Sequence, residues 1–404
     1  MALWSTNLIP RNRSYQMRRI VCLSLCLLVA ASVSLAQKNP KTAEDFYNRG
    51  LEKQAQQDLD GALADYDQAL ALKPDSLTRA TIHINRANLL MSKGDLKAAL
   101  LDLDKAVAAS PGDLMAFYNR GIVRAELGQP DEAIADFSAA LALKPDFSMA
   151  YNTRGNARKA KGDIEGAIAD YDSAIKHNPE GALGYFNRAA ARQEKSEFDK
   201  ALADYTQAIS IAPNLVEAYF NRGIVHQLMR NLDAAVADLN KAIELKADEA
   251  DFYVSRGNVL LARGDTERAI ADFTKAVALN PQHADAYTNR GIARKTKKDS
   301  AGALADFDLA IAANPRDAVA YVNRGTLREE RGDMKGALAD FDMAIAVNPA
   351  LAQAYANRGV VRLQQGKVEQ AEQDFTRAIS LDATLKPSLD KYLAEMKRYR
   401  AKKP

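Results

Sequence analysis

Cysteine is confined to two positions, Cys22 and Cys26, and the only tryptophan is Trp4. All three lie within the first 36 residues, so a chain that loses this segment has no thiol. Disulfides, thiolate metal sites and cysteine nucleophiles are then excluded. Histidine is scarce too: His83, His177, His226 and His283 are scattered and do not converge. No phosphate-cradling glycine loop, nucleophile elbow or metal-ligand spacing is found. The sequence therefore predicts no catalytic residue, no metal site, no cofactor and no enzyme.

A charge excess is also missing. The formal net charge is +3, but Arg11, Arg13, Arg18 and Arg19 fall in a stretch, residues 1–36, without a single Asp or Glu. Setting those four aside leaves 51 basic against 52 acidic residues. A near-neutral body makes no field that gathers nucleic acid. The one local basic cluster, Lys397, Arg398, Arg400, Lys402 and Lys403, is expected to be a solvated tail.

Long hydrophobic runs are limited to Ile20–Val33. Arg18 and Arg19 precede this run and Ser34-Leu35-Ala36 follow it, the pattern of a secretory signal peptide over residues 1–36 with cleavage before Gln37. Met17, directly before Arg18, is an alternative start. A run of about 14 residues is too short to span a bilayer comfortably, which disfavours an uncleaved anchor and any other membrane contact. The expectation is export across an inner membrane to a periplasmic or extracellular location, with residues 37–42 as a linker.

What the sequence has in abundance is one motif. FYNRG at Phe46 returns as FYNRG at Phe117, YFNRA at Tyr185, YFNRG at Tyr219, YTNRG at Tyr287, YVNRG at Tyr321 and YANRG at Tyr355. HINRA at His83, YNTRG at Tyr151 and YVSRG at Tyr253 are looser copies. Aligned on this motif, ten copies begin at Ala43, Ala80, Leu114, Ser148, Ala182, Val216, Ala250, Ala284, Ala318 and Ala352. After a three-residue excess in the first linker, every step is 34 residues. Within a copy, positions 4, 8 and 11 and positions 20, 24 and 27 are assigned to the apolar faces of two helices. Turns such as Gly94-Asp95 and Gly332-Asp333 separate them, glycine ending one helix and aspartate capping the next.

Small residues face large ones. Positions 20 and 27 are Ala in every copy, and position 8 is Gly except at Ala87 and Ala189. These let helices approach closely while aromatics at positions 4 and 24 fill the remaining space. No copy can bury its own face, so neighbours must stack. Thr42 with Asp45 is expected to cap the front. Leu385, Leu389, Tyr392, Leu393 and Met396 mark the buried face of a closing helix in residues 384–404.

The 34-residue period with these small and aromatic positions resembles the tetratricopeptide repeat (TPR) over residues 43–383. The resemblance implies an all-α, right-handed solenoid of ten helix-turn-helix units, with a closing helix and a role in binding protein or peptide. The family usually has leucine at position 7. Here it is Arg in every copy, including Arg49, Arg120, Arg222 and Arg324, and position 23 is always Asp, including Asp65, Asp136, Asp238 and Asp340. Each Arg is expected to hold an Asp of its own or an adjacent repeat in a partly buried bidentate pair. A spiral of free guanidiniums for an anionic ligand is the alternative, and the near-neutral body argues against it.

Position 6 is Asn at Asn48, Asn85, Asn119, Asn187, Asn221, Asn289, Asn323 and Asn357. In the TPR fold this position faces the inner, concave surface. The TPR region of O-linked N-acetylglucosamine transferase resembles this, with an asparagine ladder that grips an extended peptide by its backbone. An amide offers a donor and an acceptor together, as each peptide unit does. Local helix hydrogen bonding is the other reading. No transferase domain follows, so the transferase's activity is not implied. Tyr118, Ile122, Phe186, Phe220 and Ile224, with Met115, Met149 and Leu183, are expected to make an apolar inner stretch in copies three to six. Copies seven to ten carry Asp251, Asn258, Asp285, Thr288, Thr326 and Gln353 there instead. The resulting expectation is a non-catalytic envelope scaffold that takes an extended peptide in the concave groove. An adaptor docking folded partners on convex faces or edges, or a subunit recruiting an envelope enzyme, is the alternative.

Overall fold

The computed structural model describes residues 40–401, except the side chains of Glu395 and residues 397–401. The expected signal peptide, with its cysteines, Trp4 and Met17, lies outside the described residues, as do residues 37–39 of the linker and the end of the basic tail. All described secondary structure is helical, and no described helix is long and apolar enough to cross a membrane.

The described residues form two units, 40–213 and 214–401. The first holds α1 (Ala43–Ala55), α2 (Leu59–Ala71), α3 (Ser76–Lys93), α4 (Leu96–Ala109) and α5 (Leu114–Glu126). It continues with α6 (Pro130–Leu143), α7 (Ser148–Ala160), α8 (Ile164–His177), α9 (Ala182–Glu194) and α10 (Phe198–Ile211). The second holds α11 (Val216–Leu228), α12 (Leu232–Leu245), α13 (Ala250–Arg263), α14 (Thr266–Leu279), α15 (Ala284–Thr296) and α16 (Ser300–Ala313). It ends with α17 (Ala318–Glu330), α18 (Met334–Val347), α19 (Ala352–Gln364), α20 (Val368–Leu381) and α21 (Lys386–Ala401). Each copy of the repeat is thus a pair of helices. The three-residue excess of the first linker is absorbed as an extra turn of α3, whose start is capped by Asp75.

The turns follow their chemistry. Gly94 ends α3 in the left-handed region at φ 82°, and the Asp95 carboxylate accepts from the Ala98 amide to start α4. Thr42 and Asp45 form the reciprocal cap of α1.

Within each unit, the two helices of a hairpin pack together and the second packs on the first helix of the next. First helices of successive repeats also touch, as α5 does α7 and α15 does α17, while second helices make no comparable contact. The first helices therefore form the inner row of each unit. The core lies between the layers. Tyr66, Phe137, Tyr171, Tyr205, Phe273, Phe307, Phe341 and Phe375, all at position 24, are fully buried, worth roughly 1.5–3 kcal/mol each. Position 8 must be small because that ring lies on it: a Cβ on Gly257 would stand 2.6 Å from Cε1 of Phe273. At the end of the second unit, Leu389 and Met396 of α21 close over Phe375, with Leu385, Tyr392 and Leu393 against the same cluster.

Candidate functional site

The position-7 arginines and position-23 aspartates meet inside each hairpin. In the ninth repeat, Arg324 Nε donates to Asp340 Oδ2 at 3.0 Å and Nη2 donates to Oδ1 at 2.6 Å. The same fork joins Arg49 to Asp65, Arg120 to Asp136 and Arg222 to Asp238. The remaining repeats repeat it. Every one of these aspartates is buried, while the arginines keep a partly exposed edge, except Arg290, which is buried as well.

In repeats three to five and seven to ten the arginine does more than join the two helices of its own hairpin. Its third nitrogen, Nη1, reaches the second helix of the preceding repeat at position 25: Arg120 to Asp104 at 2.9 Å, Arg154 to the Ser138 hydroxyl at 2.9 Å, Arg324 to Asp308 at 2.6 Å. Its face lies over the position-4 ring of its own helix, 5.6 Å from the centroid for Arg324 over Tyr321. One guanidinium therefore ties three helices and caps an aromatic. The variety at position 25 (Asp, Ser, Thr and Asn) hid this role, although all four types offer an oxygen acceptor.

Position 11 is a correction. Assigned to the apolar face, it is Lys53, Arg124, Arg158, Arg192, Arg294, Arg328 and Arg362 in seven repeats, each a second cation on the buried aspartate. One helical turn beyond position 7, it reaches the same carboxylate. The second repeat lacks this cation but has His83, whose Nδ1 lies 3.0 Å from Asp102 Oδ1. Burial works against the Asp102 charge, yet hydrogen bonds to His83 and Arg86 outweigh it and hold the carboxyl below its usual range. The sixth repeat has His226 there instead, with Nε2 3.9 Å from Asp238 and Nδ1 buried without a partner. Beside it, Gln227 Oε1 is also buried and unpartnered. In the first and fifth repeats the equivalent glutamines, Gln54 and Gln193, accept from Tyr66 and Tyr205. The sixth has Leu239 where those tyrosines stand.

The asparagines sit on the inner row, but they first serve one another. Asn119 donates to Asn88 (2.9 Å), Asn187 to Asn152 (2.9 Å), Asn289 to Asn258 (3.0 Å), Asn357 to the Thr326 hydroxyl (3.0 Å) and Asn85 to the Tyr47 hydroxyl (2.8 Å). Each bond links first helices of adjacent repeats. Asn323 instead turns back to the Val319 carbonyl. Asn48 and Asn221 are half-buried, with no side-chain hydrogen bond among the described residues. Asn119 is buried outright.

The apolar stretch needs correction too. Tyr118, Ile122, Phe220 and Ile224 are 4, 7, 8 and 7% exposed and belong to the cores. Positions 5 and 9 point into the seam between successive first helices, so large side chains there fill the seam. Burial pushes the Tyr118 hydroxyl up to about 12, with Thr153 acting the other way. Phe186 is half-buried against the Tyr205 ring. At position 2 of this row two large apolar residues are exposed, Met149 at 56% and Leu183 at 43%. In the second unit Thr288 and Asn258 are buried as well, Thr288 donating to Asp317 at 2.7 Å.

Models of the tetratricopeptide repeat family match residues 47–114, 84–146 and 254–318, residues 187–256 and residues 352–385, and a TPR repeat model matches 155–196. The chain is a tetratricopeptide repeat protein. Among solved structures, a TPR protein from Parabacteroides merdae ATCC 43184 is 22% identical, with a TM-score of 0.50 over 62% of this chain and 98% of its own. Yeast Tom70 is 16% identical, with a TM-score of 0.48 over 89% and 96%. YrrB, described as a TPR protein with an unusual peptide-binding site, is 26% identical, with a TM-score of 0.39 over 46% and 95%. No curated protein matches. As a TPR array the chain has the architecture of a protein-interaction scaffold, in a family that is generally non-catalytic.

Proposed function

We propose that this TPR protein captures an extended peptide or disordered protein segment along its inner row of first helices, in the periplasmic or extracellular space to which its leader directs it. The observation that carries the reading is the amide pair Asn187–Asn152 in the first unit. Its internal bond uses one N–H of Asn187 and the carbonyl of Asn152. What remains is the Asn187 carbonyl as acceptor and, as donors, the second N–H of Asn187 and the two of Asn152, so an acceptor and donors stand together in fixed relation. A peptide unit presents the complementary two groups. Both asparagines are half-exposed, and Met149 and Leu183 stand beside them to meet apolar side chains.

The test is a pull-down from the native envelope fraction with the wild-type chain and with Asn152→Ala/Asn187→Ala, each checked for unchanged helicity. Loss of the captured protein in the double variant supports the reading, and equal capture defeats it. Sequencing the N-terminus of exported protein checks the location, with Gln37 as the expected first residue.

A further inference from the structure

Position 2 changes character between the two units. On the inner row of the first it is Met115, Met149 and Leu183 in three successive repeats, and on that of the second it is Glu217, Asp251 and Asp285. The successive first helices α11, α13 and α15 touch, so these carboxylates recur at the spacing of packed helices, roughly 8–10 Å. Asp317, the N-cap of α17, continues the line, because the Thr288 hydroxyl of α15 donates to it at 2.7 Å. Desolvation raises the Asp285 carboxyl, Asp317 and Asp251 add to that, and His283 opposes it. The three aspartates therefore share one field.

Few cations answer them. At positions 2, 5, 6, 9, 12 and 13 of repeats six to ten, Glu329 and Glu330 join Glu217, Asp251 and Asp285, and the one cation is Lys295, which pairs with Glu330. Adding Asp317 and its chain neighbour Arg316 makes six carboxylates against two cations, a net of −4. His283 holds Asp251 at 3.0 Å, and Lys246, near Glu217, already pairs with Glu249.

A separate feature of the same row points to a peptide. Ser255 and Asn258 lie four and seven residues beyond Asp251, on one side of α13, and are 5% and 3% exposed. The Asn258 carbonyl accepts from Asn289, but its own N–H groups and the Ser255 hydroxyl have no partner among the described residues. Neither side chain is sealed in, since the fully buried unpartnered side-chain atoms among the described residues are on His226 and Gln227. Donors kept this deep without an acceptor are matched by backbone carbonyls laid along the row.

We propose that the inner row of the second unit binds an extended segment of a partner protein with a lysine or arginine at every third residue. Its basic side chains meet Glu217, Asp251, Asp285 and Asp317, and its carbonyls meet Ser255 and Asn258. A polyproline II strand advances about 3.1 Å per residue with three residues per turn. Every third side chain then points the same way about 9 Å further on, which is the step of the carboxylates. A β-extended strand would send alternate side chains to opposite faces. The inference rests on the capture reading above and gives the captured segment its charge and its register.

The probe is a fluorescent peptide of about ten residues with lysine at every third position among alanine and proline, spanning about 28 Å. It is titrated against the full chain by anisotropy. One counterpart has glutamine in place of lysine, and another has the same lysines in a single block. The spaced lysine peptide is expected to bind at least about tenfold tighter than either, and to weaken as salt rises. Glu217→Gln/Asp251→Asn/Asp285→Asn removes that advantage, while Glu267→Gln/Glu369→Gln on second helices leaves it; helicity is checked for both. No binding, affinity equal to that of either counterpart, or binding unchanged by the triple variant overturns the proposal. Capture in the envelope test with no lysine advantage here sinks the charge assignment alone, so the two failures are told apart.

Discussion

Removing Arg256 should cost more than removing Arg324, although the two occupy the same position in their repeats. Arg256 holds Asp272 at 2.8 and 2.7 Å, and the neighbouring position 11 is Leu260, which is buried. Arg256→Ala therefore leaves a buried carboxylate with neither of those bonds and no position-11 cation. Removing one partner of such a pair costs about 3–5 kcal/mol. In the ninth repeat, Arg328 Nη1 stays 2.8 Å from Asp340 Oδ2 after Arg324→Ala. The remaining loss is that of hydrogen bonds to charged groups, about 1.5–3 kcal/mol. A repeat array need not unfold in one step, so local opening is the better readout. Amide hydrogen exchange in α13 and α14 should accelerate more in Arg256→Ala than exchange in α17 and α18 does in Arg324→Ala. Equal acceleration, or a cost below about 0.5 kcal/mol for Arg256→Ala, would place these pairs among exposed contacts and refute the argument.

Other predictions concern single repeats. Burial depresses the His226 imidazole, with Asp238 opposing and Arg222 adding to the effect. The unfolded chain thus takes the proton first, and stability falls as pH drops below about 6.5. His226→Arg should flatten that slope and add about 0.5–2 kcal/mol, read from urea midpoints at pH 7.5 and 5.5; parallel slopes would contradict it. Leu239→Tyr should give Gln227 Oε1 its missing donor and stabilise α11–α12 by about 1 kcal/mol, seen as slower exchange there. Gly257→Ala should destabilise by about 1–3 kcal/mol because the new methyl meets the Phe273 ring, measured by the same exchange in α13.

The period, the hairpins and the pairing of Arg with Asp are legible because each rests on a narrow choice of residue type. Only Gly or Ala leaves room for the ring at position 8, and only Arg reaches two helices with a planar fork. Position 25 escaped notice because several side chains carry the acceptor it needs. Position 11 was misassigned because helical spacing alone cannot tell an apolar contact from a cation whose stem packs while its head finds a carboxylate. Spacing places Tyr118 and Phe220 on the inner side of their helices but does not show how closely the next repeat covers them.

The clasp at position 7 bears on how such a chain can change length. In repeats three to five and seven to ten the arginine looks 16 residues back and 16 forward, whereas Arg86, after the longer first linker, looks 19 back; every position 25 in the sequence carries an oxygen that can accept. Within a unit, a repeat placed one 34-residue step after another therefore meets an acceptor for its clasp. Duplicating or excising one whole period by recombination would leave an intact series of clasps, whereas a slip of a single residue would unfasten two at once.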